Sequence, residues 1–282
     1  MTSIADADLV AQGRRSWGAL EPIHVIGYFA PEVAQGYVDL GLHKRLAYFA
    51  ARSAAFGRAP AELTIATFYV FAPWLPHKAL PASWEIAAPE QIQRVRREGV
   101  AVALERVLGS PDVGEALELA RTACEGLSPP GRPLYAAHSA LAWPGDDLLA
   151  LWHAATLLRE HRGDAHIAVL LKAGLDPVES LILGGMFSKN TDFVRSTRGW
   201  TDEEWAGGEQ RLVLRGLIDG ADLTDEGRAL RQQIEDDTDE LAAEGWARLG
   251  LAGSQRLYEL VSPLRKQVLD SGVLPDWISR RG

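Results

Sequence analysis

The stretch from Trp200 to Leu241 constrains the fold of this chain more than any other. Thr201 is placed to cap a helix, because its hydroxyl can accept from a free first-turn amide, and Glu204 three residues on completes a capping box. A helix of leucines and charges follows, and Gly216 ends it. Leu217-Ile218 can then pair as a short strand with Asp222-Leu223. Thr224 caps a second helix from Asp225, with Gly227 and Leu230 spaced as on a buried helix face. The order is helix, short hairpin, long helix. An ordinary helix–hairpin–helix connection with no recognition role has the same pattern and stays open.

The rest of the chain reads almost entirely as helix. Residues 6–20 form the first, broken at Glu21-Pro22-Ile23-His24. Pro31 suits the first position of the next, which ends near Gly41. Leu46 to Phe56 is strongly apolar. A helix from Pro60 to Phe71 and a short one from Pro73 to Leu80 follow. Glu90 to Leu108 is long, with Arg94, Arg96, Arg97 and Glu98 on its wet side. Val113 to Gly126 is one more. The turn-rich segments at Ser128 to Pro133 and Trp143 to Asp146 mark a division. Beyond it, helices are expected at 147–160, 163–172 and 176–183, a loop at 184–199, and a terminal helix at 254–269.

At 282 residues the chain is long enough for one large or two medium domains. A net charge of -9 argues against nonspecific affinity for nucleic acid or anionic membranes, while a local basic face remains compatible with it. A single cysteine, Cys124, excludes an intrachain disulfide and fits a reducing compartment. The first residues lack the basic and apolar regions of a signal peptide, and no apolar run approaches the roughly 20 residues that span a bilayer. A cytoplasmic location is expected.

Two halves are expected: residues 1–128, a linker at 129–146, and residues 147–282. At one constant offset Tyr48 falls on Trp152, Ala50 and Ala51 on Ala154 and Ala155, Arg58 on Arg162, and Pro73 on Pro177. The reading is of a mainly α chain made of two degenerate winged-helix-like halves. They form a pseudo-dimer, and the hairpin is a wing.

Three sets of residues carry a family likeness. The first is Leu20-Glu21-Pro22-Ile23-His24 with Tyr28-Phe29, Thr67-Phe68-Tyr69-x-Phe71 and Ala79-Leu80-Pro81-x-x-Trp84. The second runs from Leu151-Trp152-His153 to Asp164-Ala165-His166. The third is Arg198-Gly199-Trp200-Thr201-Asp202-Glu203-Glu204-Trp205. Together they resemble an actinobacterial family labelled helix-turn-helix, with distant MarR-like character. In MarR-type regulators the hairpin is the wing and the long helix serves dimerisation. The resemblance implies a mainly helical cytoplasmic protein and transfers neither substrate nor mechanism.

DNA binding is not what the charges favour. A winged helix reads bases with one helix and grips phosphates with cations on its wing. The candidate recognition helix, Asp176 to Leu183, has two acids and no base. The candidate wing, Asp219-Gly220-Ala221-Asp222, is short and negative. A MarR-like DNA-binding regulator is therefore the alternative reading.

The unusual residues are polar ones inside apolar helices. His153 and Arg159 lie nearly two turns apart, at about 100° per residue, and can share a face. His166 follows, and the first half offers His24, Tyr28, Phe29, Tyr69 and Trp74. A cavity between the halves could gather these eight residues on an aromatic wall, the usual makeup of a small-molecule pocket. Histidine and arginine suggest an anionic or phenolic ligand. In the blander reading Arg159, Arg162 and Asp164 fix a turn by ion pairing, and the histidines only pack. The histidines lack metal-ligand spacing, so no metal is expected. No Gly-x-Ser-x-Gly, P-loop or dinucleotide motif occurs, so no cofactor is expected either. A histidine base acting on a bound substrate is compatible with the pattern. The expectation is a small-molecule binder (sensor, sequestering protein or enzyme), monomeric or homodimeric, without membrane partners.

Overall fold

Helix dominates, as the spacing of leucine and alanine requires. The computed structural model describes residues 6–275 and residue 278. In chain order the helices are α1 (Ala7–Phe29), α2 (Pro31–Asp39), α3 (Ala47–Ser53) with a 3-10 turn at Ala54–Phe56, α4 (Ala61–Phe68), α5 (Trp74–Ala79) and α6 (Ala82–Ile86). Then come α7 (Pro89–Leu108), α8 (Gly114–Glu125), α9 (Pro133–Ser139), α10 (Asp147–Lys172), α11 (Pro177–Ser188), α12 (Thr191–Thr197) and α13 (Asp202–Leu214). Strands β1 (Ile218–Asp219) and β2 (Asp222–Leu223) precede α14 (Asp225–Leu241) and α15 (Glu244–Asp270). Among the described residues no helix is long and apolar enough to cross a membrane.

The segment around the hairpin folds as its caps dictate. Thr201 Oγ1 accepts from the Glu204 amide at 3.2 Å, and the Glu204 carboxylate accepts from the Thr201 amide at 2.9 Å. Thr224 Oγ1 accepts from the Gly227 amide at 3.0 Å. The antiparallel register pairs Ile218 with Leu223 and Asp219 with Asp222, one residue further on than expected. Gly227 is required, because a Cβ there would fall 2.0 Å from the Leu217 carbonyl oxygen.

Several helical boundaries differ from expectation: the helix from Pro60 ends at Phe68, α9 stands within the expected linker 129–146, the terminal helix begins at Glu244, and three further differences have a packing reason. Helix α1 runs straight through Pro22 to Phe29. An internal proline costs about 3 kcal/mol, but Ala19, Leu20, Ile23, His24, Val25 and Ile26 are all buried, and that burial outweighs the cost. Helix α10 is unbroken across Gly163-Asp164, where two helices were expected. A mid-helix glycine costs only about 1 kcal/mol. Asp164 caps a different helix, accepting from the Tyr135 amide of α9 at 2.9 Å. The expected loop at 184–199 is instead the end of α11 plus α12. Gly185 lets α12 fold back closely, since a Cβ there would lie 3.0 Å from the Thr191 Cα. One result is that the offset that places Tyr48 on Trp152 does not hold in layout: the chain leaves the α-helix at 54–60, where the matching part of α10 is continuous helix.

The core has two clusters. The larger joins α1 to α10 with α15 and includes Leu20, Ile23, Ile92, Leu151, Trp152 and Leu257. Cys124 lies buried in it. The smaller sits beneath the hairpin and includes Val169, Ile182, Leu183, Trp205, Leu212, Ile218 and Ile234. Helices α1 and α15 touch closely: Ser16 Oγ donates to the Ser254 carbonyl at 2.8 Å, and Trp246 fits against Gly13, where a Cβ would be 2.4 Å from the indole.

Candidate functional site

Elements from both ends of the chain enclose a deep open cleft of about 1510 Å³. Helix α1 supplies Glu21, Tyr28 and Phe29, α3 supplies Tyr48 and Phe49, and α5 supplies Trp74 and Lys78. Helix α10 supplies Arg159, and Phe193 and Arg198 come from α12 and its C-cap. Tyr28, Phe29, Trp74 and Arg159 all line this cleft. The remaining cations on the lining are Arg14, Arg15, Lys44, Arg45 and Arg265, and the lining carboxylate is Glu21. Arg14 is paired with Glu235 at 2.8 Å and Asp239 at 3.3 Å, and the lining is still rich in cations for a chain of net charge -9.

The floor is a buried charge network. Arg52 donates to both Glu160 oxygens, at 2.9 and 3.2 Å, and to the Tyr48 hydroxyl at 2.8 Å. Arg159 donates to Glu160 at 2.8 Å and approaches Glu21 at 3.9 Å. Burial opposes the Glu160 charge, but the Arg159 and Arg52 guanidiniums outweigh it and hold the carboxyl well below the usual carboxylate range. Burial raises the Glu21 carboxyl, and one of its oxygens has no hydrogen-bond partner. Arg198 lies over Phe71 at 4.6 Å with its Nε unpartnered and no carboxylate in ion-pair reach among the described residues.

Behind the wall, His24 is wholly buried. Its Nε2 is 2.8 Å from the Tyr28 hydroxyl, its Nδ1 is 3.0 Å from Thr156 Oγ1, and its ring stacks on Trp152. Burial pulls its pKa well below the ordinary value, so the imidazole is neutral at pH 7. It touches the cleft through Tyr28.

The other three sequence candidates lie elsewhere. Tyr69 holds α11, donating through its hydroxyl to the Leu175 carbonyl. His153 is buried against Trp143, with ring centroids 4.9 Å apart, beside a different small cavity. His166 Nδ1 donates to Thr238 Oγ1 of α14 at 3.0 Å, since that hydroxyl gives its own proton to the Ile234 carbonyl. The neighbouring Arg162 pairs with Glu235 at 2.7 Å and Asp239 at 2.8 Å, also on α14. Its ion pairs join two helices and fix no turn. Arg52 and Arg198 were not singled out as site residues. Arg52 had a signal, as the lone charge in the run Ala50-Ala51-Arg52-Ser53-Ala54-Ala55. Among the described residues no group of three or more His, Cys, Asp and Glu is placed to hold a metal ion.

The face that would meet DNA in a winged helix is acidic. Helix α11 is buried on most sides, including Val178, Glu179, Leu181, Ile182 and Leu183. The helix directly before the hairpin is α13, whose exposed first turn carries Asp202, Glu203 and Glu204. Asp219 and Asp222 are exposed on the hairpin. Arg211 pairs with Asp176 at 2.6 Å, and Arg215 donates to the carbonyls of Gly174 and Ala173.

Helical architecture, a capped hairpin and a long following helix together define a helix-turn-helix class of protein. A family model described as a helix-turn-helix family matches residues 13–275, and the chain belongs to that family. No curated protein and no solved structure matches it.

Proposed function

We propose that this protein binds an organic anion with an aromatic or apolar body in the cleft between α1, α3, α5 and α12. It acts as a sensor, a sequestering protein or an enzyme on that molecule. One observation carries the reading: among the described residues, eight lysines and arginines share the lining with a single carboxylate and a wall of aromatic rings. Guanidinium and ammonium groups bind carboxylate, sulfonate or phosphate, and the rings take the body. In this reading residues 1–128 and 147–282 are degenerate winged-helix-like halves joined by 129–146. It is supported by the cleft's lining, which comes from both.

A second reading, a DNA-binding regulator of MarR-like type, is favoured by the family to which the chain belongs. The acidic first turn of α13 and the acidic hairpin weigh against contact there. Both properties can reside in one protein, with the ligand controlling the regulator.

The test is native mass spectrometry of the purified protein, with titration by an anilinonaphthalene sulfonate as an aromatic anion. The expected result is a stoichiometric adduct or saturable probe binding, weakened about tenfold or more in Arg198→Gln and in Lys44→Ala/Arg45→Ala. Probe binding unchanged in both variants would sink the cleft assignment. Specific retardation of its own upstream DNA at low salt, with no adduct, would favour the second reading.

A further inference from the structure

The amphipathic pattern of α7 places Arg96 with Arg94 and Arg97 on the wet face, yet Arg96 is only 4% exposed. Its guanidinium lies 5.5 Å from the Tyr28 ring and 5.2 Å from the Trp152 ring. Among the described residues no carboxylate lies within ion-pair distance of it. Neither its Nε nor its Nη2 has a hydrogen-bond partner. The nearby Arg52, which is buried, and Arg159, which is half-buried, already share the buried carboxylate of Glu160. A guanidinium buried without a counter-charge is costly, and proteins seldom leave one so.

Arg96 borders a second cavity, of about 20 Å³, separate from the cleft. Its polar lining is Gln93, Arg96, Arg97, His138, His153 and Thr156, with no carboxylate. His153 is 4% exposed, and its Nε2 has no partner. Burial brings its pKa to about 4, so at pH 7 the neutral ring has one N–H to give. The space between Arg96 and the other lining side chains holds about one water-sized species. A water would supply an acceptor but no charge.

We propose that this cavity binds one monatomic halide, chloride under ordinary conditions, held by Arg96 and His153. The ion balances the buried guanidinium. Because that guanidinium also packs on the Tyr28 ring, it helps fix the cleft wall.

Thermal unfolding at constant ionic strength in sodium chloride, sodium bromide or sodium gluconate tests this, since gluconate is too large to enter. Chloride and bromide are expected to raise Tm by about 2–4 °C, saturably, over gluconate. Arg96→Gln is expected to lose the increment, and Arg94→Gln, altered at an exposed position on the same helix, to keep it. Equal Tm in chloride and gluconate overturns the proposal. If Arg96→Gln fails to fold, the wild-type crystal in bromide decides. An anomalous peak in the cavity supports the site, and a cavity holding only water overturns it.

Discussion

His24 Nε2 and the Tyr28 hydroxyl are 2.8 Å apart, and a third residue decides which of them donates. Thr156 gives its proton to the Trp152 carbonyl at 2.9 Å, so its oxygen must accept from His24 Nδ1–H. His24 Nε2 is then bare and accepts from Tyr28. Tyr28 is therefore the donor of this pair, and its oxygen receives no proton from His24.

This order is open to NMR of ring nitrogens. His24 is expected as the Nδ1–H tautomer. Thr156→Val leaves that N–H buried without an acceptor and is expected to cost about 1–3 kcal/mol in urea unfolding. An Nε2–H tautomer in the wild type would reverse the assignment and make Tyr28 the acceptor from His24.

Glu160 is the carboxylate on which the buried floor depends. Glu160→Gln leaves Arg52 and Arg159 without it and is expected to destabilise by about 3–5 kcal/mol. Replacing an exposed pair member, as in Glu98→Gln opposite Arg94, is expected to change stability by less than about 0.5 kcal/mol. Comparable losses in the two variants would show that the floor is far wetter than its burial implies.

Acid should unfold this protein early. Burial brings His138, His153 and His166 to about 4 and His161 to about 3. Between pH 6.5 and about 4 the unfolded chain takes up protons that the folded one cannot, so stability falls as pH drops through that window. Asp164 and Glu21 work in the opposite sense, because burial raises both, Asp164 to about 6, and the fold favours their protonated forms. Five histidines, with His24 also lowered by burial, outweigh two carboxyls, at about 1.4 kcal/mol per pKa unit each. Urea midpoints at pH 6.5, 5.5 and 4.5 should decline in turn, and less steeply in His138→Gln. A flat profile would contradict neutral burial of these rings.

What could be read from the sequence was local. Thr201, Glu204, Gly216 and Thr224 set the hairpin and its helices through contacts a few residues apart, so their pattern is written in adjacent positions. The errors came where distant segments decide. Pro22 and Gly163 look like breaks, and only the burial of the residues around them keeps α1 and α10 whole. Four of the eight site candidates, Tyr28, Phe29, Trp74 and Arg159, meet at the cleft, and His24 stands behind it. His153 packs on Trp143, Tyr69 donates to the Leu175 carbonyl and His166 meets Thr238 of α14, and with α10 unbroken at Gly163 His166 does not fold back toward His153. Arg96 was read as solvated for a related reason. Helical periodicity tells which residues share a face, but not what α1 and α10 lay against it.

The contact between α1 and α15 has a consequence for synthesis. Ser16 and its acceptor at Ser254 are 238 residues apart, so α1 leaves the ribosome long before the surface that covers it exists. At about 5–20 residues per second the gap is tens of seconds or less. During that interval Leu20, Ile23 and Ile26 have only part of their final cover, which is the state that chaperones recognise.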